Sequence, residues 1–166
     1  KIRASKTFDN ATSCSSENAV VVVDAIYDAF IAAMARAGGV VVEDEARIVA
    51  KLWPHGHLNR EVIAQDADKM IAALGLTGQV PKGTGYIAVP TTGIGPDHPL
   101  GGEKLGRVIA LYLAADFDAA VATTDAIQRH QGAGHSVGLH STDPDRAMRL
   151  ATTIPTSRVI VNQAHT

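Results

Sequence analysis

The sequence predicts a three-layer α/β fold, with helices on both faces of a mostly parallel sheet. Three observations point there. Short β-branched runs, each sized for a buried strand, recur along the chain. Between them lie segments whose apolar residues fall at helical spacing. The two kinds alternate, the order that parallel strands joined by helical crossovers require. At 166 residues and 46% hydrophobic content, one domain with a substantial core is the economical reading.

Ala19 to Val23 is the first strand, followed by a helix over Ala25 to Ala37 with Ile26, Phe30, Ala33, Met34 and Ala37 on one face. Gly38-Gly39 stops that helix where a left-handed cap is easy. Val40 to Val42 is too short to assign. Glu43 to Trp53 is a second helix closed by Pro54. Asn59 to Leu74 is a third, with Asn59 as its cap and Gly75 at its end. Tyr86 to Val89 is a strand. Pro90 to Gly102, with four glycines and three prolines, is a long irregular loop of the functional kind. Val108 to Leu113 is a buried strand, and Asp116 to Gln131 an amphipathic helix capped by Asp116. Ser136 to His140 is a short strand, Asp143 to Thr152 a helix and Arg158 to Val161 the last strand.

Composition narrows the function. A formal net charge of -2 offers no basic excess to neutralise phosphates, so nucleic acid is not the expected partner. The apolar runs never approach the roughly 20 residues that span a bilayer. No charged-apolar-small leader opens the chain, and a cytoplasmic protein is expected. The opening Lys1 suggests a processed piece or an excised fragment. One cysteine leaves no internal disulfide and no multi-cysteine zinc site.

That cysteine, Cys14, is the first chemical candidate. Small polar residues surround it in Phe8-Asp9-Asn10-Ala11-Thr12-Ser13-Cys14-Ser15-Ser16-Glu17-Asn18, unlike the apolar setting of a core thiol. At a loop-to-helix start, unpaired backbone N–H groups favour the thiolate, a good nucleophile toward carbonyl carbon. A buried, inert thiol is the plain alternative. Glu17 is read as structural, serving a first helical turn. His55 and His57 lack a third ligand and read as a solvated turn. His135 and His140 fall on opposite faces of a strand and make no metal pair. Gly132 to Gly138 has glycines near dinucleotide-fingerprint spacing, but a strand follows where a helix is required.

Several of these segments resemble a known family. Phe8-Asp9-Asn10 and Ser13 to Asn18 look like the nucleophile segment of the aldehyde dehydrogenase superfamily, in its CoA-acylating branch of acetaldehyde and sulfoacetaldehyde dehydrogenases. Val23 to Phe30 is similar to the stretch that follows the family cysteine. His98-Pro99-Leu100-Gly101-Gly102-Glu103-Lys104-Leu105-Gly106-Arg107-Val108 resembles the family's glutamate loop. Gly132 to Ser141 is similar to the branch's Gly-His-Ser/Thr segment, and Thr156 to Asn162 to the strand that closes this portion of the catalytic domain.

The resemblance implies that residues 1–166 are a catalytic domain whose cofactor-binding domain lies upstream and is absent from this chain. It implies Cys14 as nucleophile and thioester carrier, Glu103 as a contact to the nicotinamide ribose, and His135 as an acid/base group on the CoA side. NAD or NADP would take the hydride, and CoA would take the acyl group from a small aldehyde, in a homo-oligomer. Leu105 stands where an aromatic usually packs near the nicotinamide. A hydrolytic aldehyde dehydrogenase, or a non-catalytic α/β binding or assembly module, are the competing readings.

Overall fold

The structure, a computed structural model, describes residues 1–165. Its centre is a four-stranded, all-parallel sheet in the order β1-β4-β3-β2, built from β1 (Ala19–Val23), β2 (Gly39–Val41), β3 (Tyr86–Pro90) and β4 (Val108–Ala114). In register, Val22 stands beside Leu113, Ala88 beside Ile109, and Val40 beside Ile87.

The period-two alternation of the two inner strands explains the layering. Ile87, Val89, Val108, Ala110 and Tyr112 point to one face, where they pack with Ile48, Leu52, Met70 and Leu74. Tyr86, Ala88, Ile109 and Leu111 point to the other, against Met34, Phe30 and Ile31. A strand apolar on both faces must be covered on both. Helices α3 (Glu45–Leu52) and α4 (Ala67–Ala73) cover the first face, and α2 (Tyr27–Arg36) the second. The α/β class and the parallel pairing are therefore as the sequence predicts.

β5 (Ser136–Leu139) and β6 (Arg158–Val161) do not extend this sheet. They pair with each other in a separate parallel ribbon. Its inner residues Val137 and Leu139 form their own small core with Val121 of α5 (Phe117–His130) and with Leu150 and Ile154 at α6 (Asp145–Thr153). The Asp116 side chain caps α5, accepting from the Ala119 N–H at 2.8 Å.

Two elements differ from expectation. The helix read over Asn59 to Leu74 begins only at Ala67. Ala64 sits in the left-handed region at φ 58°, and its N–H donates to the Leu105 carbonyl at 3.0 Å instead of to its own turn. Asn59 caps only a tight turn, its Oδ1 accepting from the Glu61 N–H at 2.9 Å. The second difference is α1 (Ile2–Thr7), a short helix whose Ser5 and Lys6 are buried, in a stretch given no element above.

Candidate functional site

Cys14 lies in a tight turn closed by the Ser16 N–H donating to the Ser13 carbonyl at 2.9 Å. Its side chain is exposed. Strand β1 follows this turn, so the expected helix start is corrected: no helix begins at the cysteine, and the N–H groups beside it are those of a turn. Immediately upstream, Asp9, Asn10 and Ala11 all hold positive φ, at 43°, 53° and 61°. Such a run costs of order 1 kcal/mol per residue and persists only where surrounding contacts enforce it. Asn10 shows the enforcement. Its Oδ1 accepts from Arg107 Nε at 3.0 Å and from Arg107 Nη2, while its Nδ2 donates to the Ala64 carbonyl at 3.1 Å.

Glu17 closes the other side. Its carboxylate accepts from the Ser5 hydroxyl at 2.7 Å, and its carbonyl accepts from Lys6 Nζ at 2.8 Å. Glu17 is structural as expected, though it ties α1 to the chain before a strand and serves no helical turn. Burial lowers the Lys6 ammonium to a pKa of about 7, with Glu17 pulling the other way.

Glu103 is exposed, in the loop before β4. Its N–H donates to Gln131 Oε1 at 3.0 Å, which fixes the backbone at the cleft wall. The loop is folded around Lys104, which is wholly buried. Lys104 Nζ donates to the Leu100 carbonyl at 2.6 Å and the Gly102 carbonyl at 2.8 Å. Burial, reinforced by the charge of Lys6, holds its pKa well below the usual lysine value, against a smaller opposing pull from Glu103. The Lys104 N–H donates to Asn18 Oδ1 at 3.0 Å, so this loop is tied to the end of the cysteine turn.

His135 is half-buried at the entry to β5, its Nδ1 3.0 Å from the Ser136 hydroxyl. Its carbonyl accepts from the Ser157 N–H at 3.0 Å, which fixes the backbone to β6. Cys14, Glu103 and His135 all line one open cleft of about 1280 Å³, together with Asn18, Gln131 and His165. An exposed thiol between polar and apolar walls is an arrangement that can add to a carbonyl group and hold the product covalently.

Lys6 and His165 carried no sequence signal read above, and Asn10 and Lys104 stood there only inside quoted segments, with no role assigned. A lysine gives no hint of burial in sequence, and the contacts of Asn10 and His165 span 97 and 150 positions. His55 and His57 are exposed at a turn. Among the described residues, no group of three His, Cys, Asp or Glu could hold a metal ion. No helix among them is long and apolar enough to cross a membrane.

No family model matches the chain. Proteins named acylating aldehyde dehydrogenases match it from end to end. A sulfoacetaldehyde dehydrogenase (acylating) of Cupriavidus necator is 45% identical over 167 residues, covering 99% of this chain and 34% of that protein. A succinate-semialdehyde dehydrogenase (acetylating) of Clostridium kluyveri is 32% identical, covering 97% of this chain and 36% of that protein. Among solved structures, a "probable aldehyde dehydrogenase" from Listeria monocytogenes superposes with a TM-score of 0.93 at 31% identity, covering 99% of this chain and 36% of that one. This chain thus spans about a third of the length of the curated relatives it matches.

Proposed function

We propose that this chain is the cysteine-bearing catalytic portion of an NAD(P)-dependent acylating aldehyde dehydrogenase, and that a cofactor-binding domain precedes it in the full-length protein. One observation carries the reading. The three residues singled out in the sequence, Cys14, Glu103 and His135, come from three separate segments and line the same cleft. The similarity to proteins that bear this name supports it.

The Cys14 thiolate adds to the aldehyde carbon, forming the C–S bond of a thiohemiacetal. The oxyanion is held by the backbone N–H of Cys14, in the turn that the Ser16 N–H closes. A nicotinamide, when bound beside Glu103, would supply the two-electron oxidant for this carbon, and Cys14 would be left holding the acyl group as a thioester. Glu103 fits such a cofactor: it is an exposed residue of the cleft wall on a fixed backbone, and a carboxylate there would accept from two ribose hydroxyls. His135 takes the proton from the CoA thiol. The CoA sulfur then attacks the thioester, the acyl group leaves Cys14, and the thiolate is restored. An imidazole suits this transfer because its ordinary pKa lies near neutrality, and a thiol acceptor asks less of a base than water does.

The acceptor is CoA and the substrate a small aldehyde. The Cupriavidus relative makes sulfoacetaldehyde the first to test. The experiment follows NADH formation by the full-length gene product with aldehyde, with and without CoA. NADH that requires both is expected. NADH and free acid formed without CoA would assign the hydrolytic reaction. No NADH with any aldehyde, together with alkylation of Cys14 no faster than a free thiol, would leave the binding-module reading.

A further inference from the structure

The last described residues return to the cleft. His165 Nδ1 lies 3.0 Å from the carbonyl oxygen of Ser15, the residue that follows Cys14. A carbonyl only accepts, so Nδ1 carries the proton and donates. The rest of the ring rests on Gly138 of β5. A Cβ built on Gly138 would overlap His165 Nε2 and meet Cε1 at 2.9 Å. Gly138 does not hold positive φ and pairs with Ile160 in the β5-β6 ladder. Nothing in its backbone asks for glycine, and a glycine inside a strand weakens it. The imidazole is what an alanine at this position would displace.

We infer that His165 is a positioning residue: seated on Gly138, it clamps the Ser15 carbonyl and so fixes the turn that aims the Cys14 thiol and its neighbouring N–H groups into the cleft. The clamp also joins the two sheets, since Ser15 precedes β1 of the large sheet and Gly138 belongs to the small one. It rests on the proposed acylating reaction for its consequence in turnover. A turn that drifts by a fraction of an ångström loses its aim, which costs rate more than binding.

The test uses the full-length gene product and five variants: His165→Phe, His165→Asn, Gly138→Ala, His165→Ala, and His165→Ala combined with Gly138→Ala. Phenylalanine keeps the ring and loses the donor; asparagine keeps a donor near the same place. His165→Phe and Gly138→Ala are each expected to lower kcat about tenfold, with KM for aldehyde and CoA held within about twofold. His165→Asn recovers most of that loss. Gly138→Ala adds no further loss once His165 is alanine, because the overlap is gone. Should any variant fail to fold, the remaining pairs carry the same comparison. Wild-type kcat in His165→Phe, an asparagine variant no better than phenylalanine, or an undiminished Gly138→Ala effect in the alanine background would overturn the clamp. Iodoacetamide labelling of Cys14 should rank the variants in the same order. That readout needs neither cofactor nor CoA, so a wild type without CoA-dependent NADH formation sinks the acylating reading while the clamp is still judged.

Discussion

The cysteine and the histidine of the cleft stand on supports of different strength. Cys14 precedes β1, whose whole length pairs with β4 of the four-stranded sheet. Its turn is held by Asn10 and Arg107 on one side and by Ser5, Lys6 and Glu17 on the other. His135 precedes a strand of a two-stranded ribbon, whose core is five buried residues. The proposed nucleophile is thus mounted on the larger sheet and the proposed acid/base group on a small lobe. In a site where a thiol must be aimed at a carbonyl carbon, rigidity belongs under the attacking atom. The proton acceptor tolerates more freedom, since a proton can pass through a range of hydrogen-bond geometries.

This contrast can be broken in several places. Removing the sulfur is the most severe. Cys14→Ala in the full-length protein should cut NADH formation by about 10⁴-fold or more, while Tm stays near wild type because the side chain is exposed. A residual rate within tenfold of wild type would exclude Cys14 as nucleophile. Asn10→Ala attacks the support itself. It takes the acceptor from Arg107 and should cost about 1–3 kcal/mol in denaturant unfolding, with slower alkylation of Cys14. An unchanged midpoint would mean that the left-handed run is held by other contacts.

Glu103→Gln reaches the cofactor side. It exchanges a charged acceptor for a neutral one and should raise KM for the nicotinamide cofactor by about tenfold with little change in KM for CoA. Equal effects on both would place Glu103 outside cofactor binding. A gentler probe compares the two lobes directly. Amides of β3 and β4 should exchange with deuterium more slowly than those of β5 and β6, because the inner strands of the large sheet open only with the global fold. Equal protection would erase the difference drawn above.

A further probe concerns Lys6, under the cysteine turn. Its folded pKa of about 7 lies below the unfolded value, so between about pH 7 and 10.5 the unfolded chain binds more protons than the folded one. Stability should therefore rise with pH across that window, and Lys104, also lowered by burial, adds in the same direction. Denaturant midpoints measured from pH 7 to 10 check this. Lys6→Met should flatten the slope, and a slope unchanged by the substitution would assign the buried charge no role in it.

The fold was largely legible because its signals are local. β1 and β6 fall on the residues their β-branched runs mark, and Asp116 caps α5 as its position before an amphipathic segment implies. The helix before Leu74 failed because Asn59, Ile63 and Ala67 satisfy helical spacing while one long-range bond, Ala64 to Leu105, takes the backbone elsewhere. Pattern reports which face a side chain would take, not which distant carbonyl competes for an N–H. The division into two sheets was hidden for the same reason: alternation of strands and helices does not say which strands pair. At the site, the polar neighbours of Cys14 foretold an exposed thiol, and Glu103 stands exposed in the glycine-rich loop that drew attention to it. Lys6 and Lys104 act through burial, and His165 through a contact 150 positions away, neither of which a single-sequence pattern encodes.

Whether Cys14 carries the acyl group can be read directly by running the proposed chemistry backward. The full-length protein is incubated with acetyl-CoA, and its peptides are weighed. An added acetyl group on the peptide holding Cys14, released by fresh CoA and absent in Cys14→Ala, is the expected result. An unmodified Cys14, or an acetyl group that survives in the alanine variant, would contradict covalent catalysis at this sulfur.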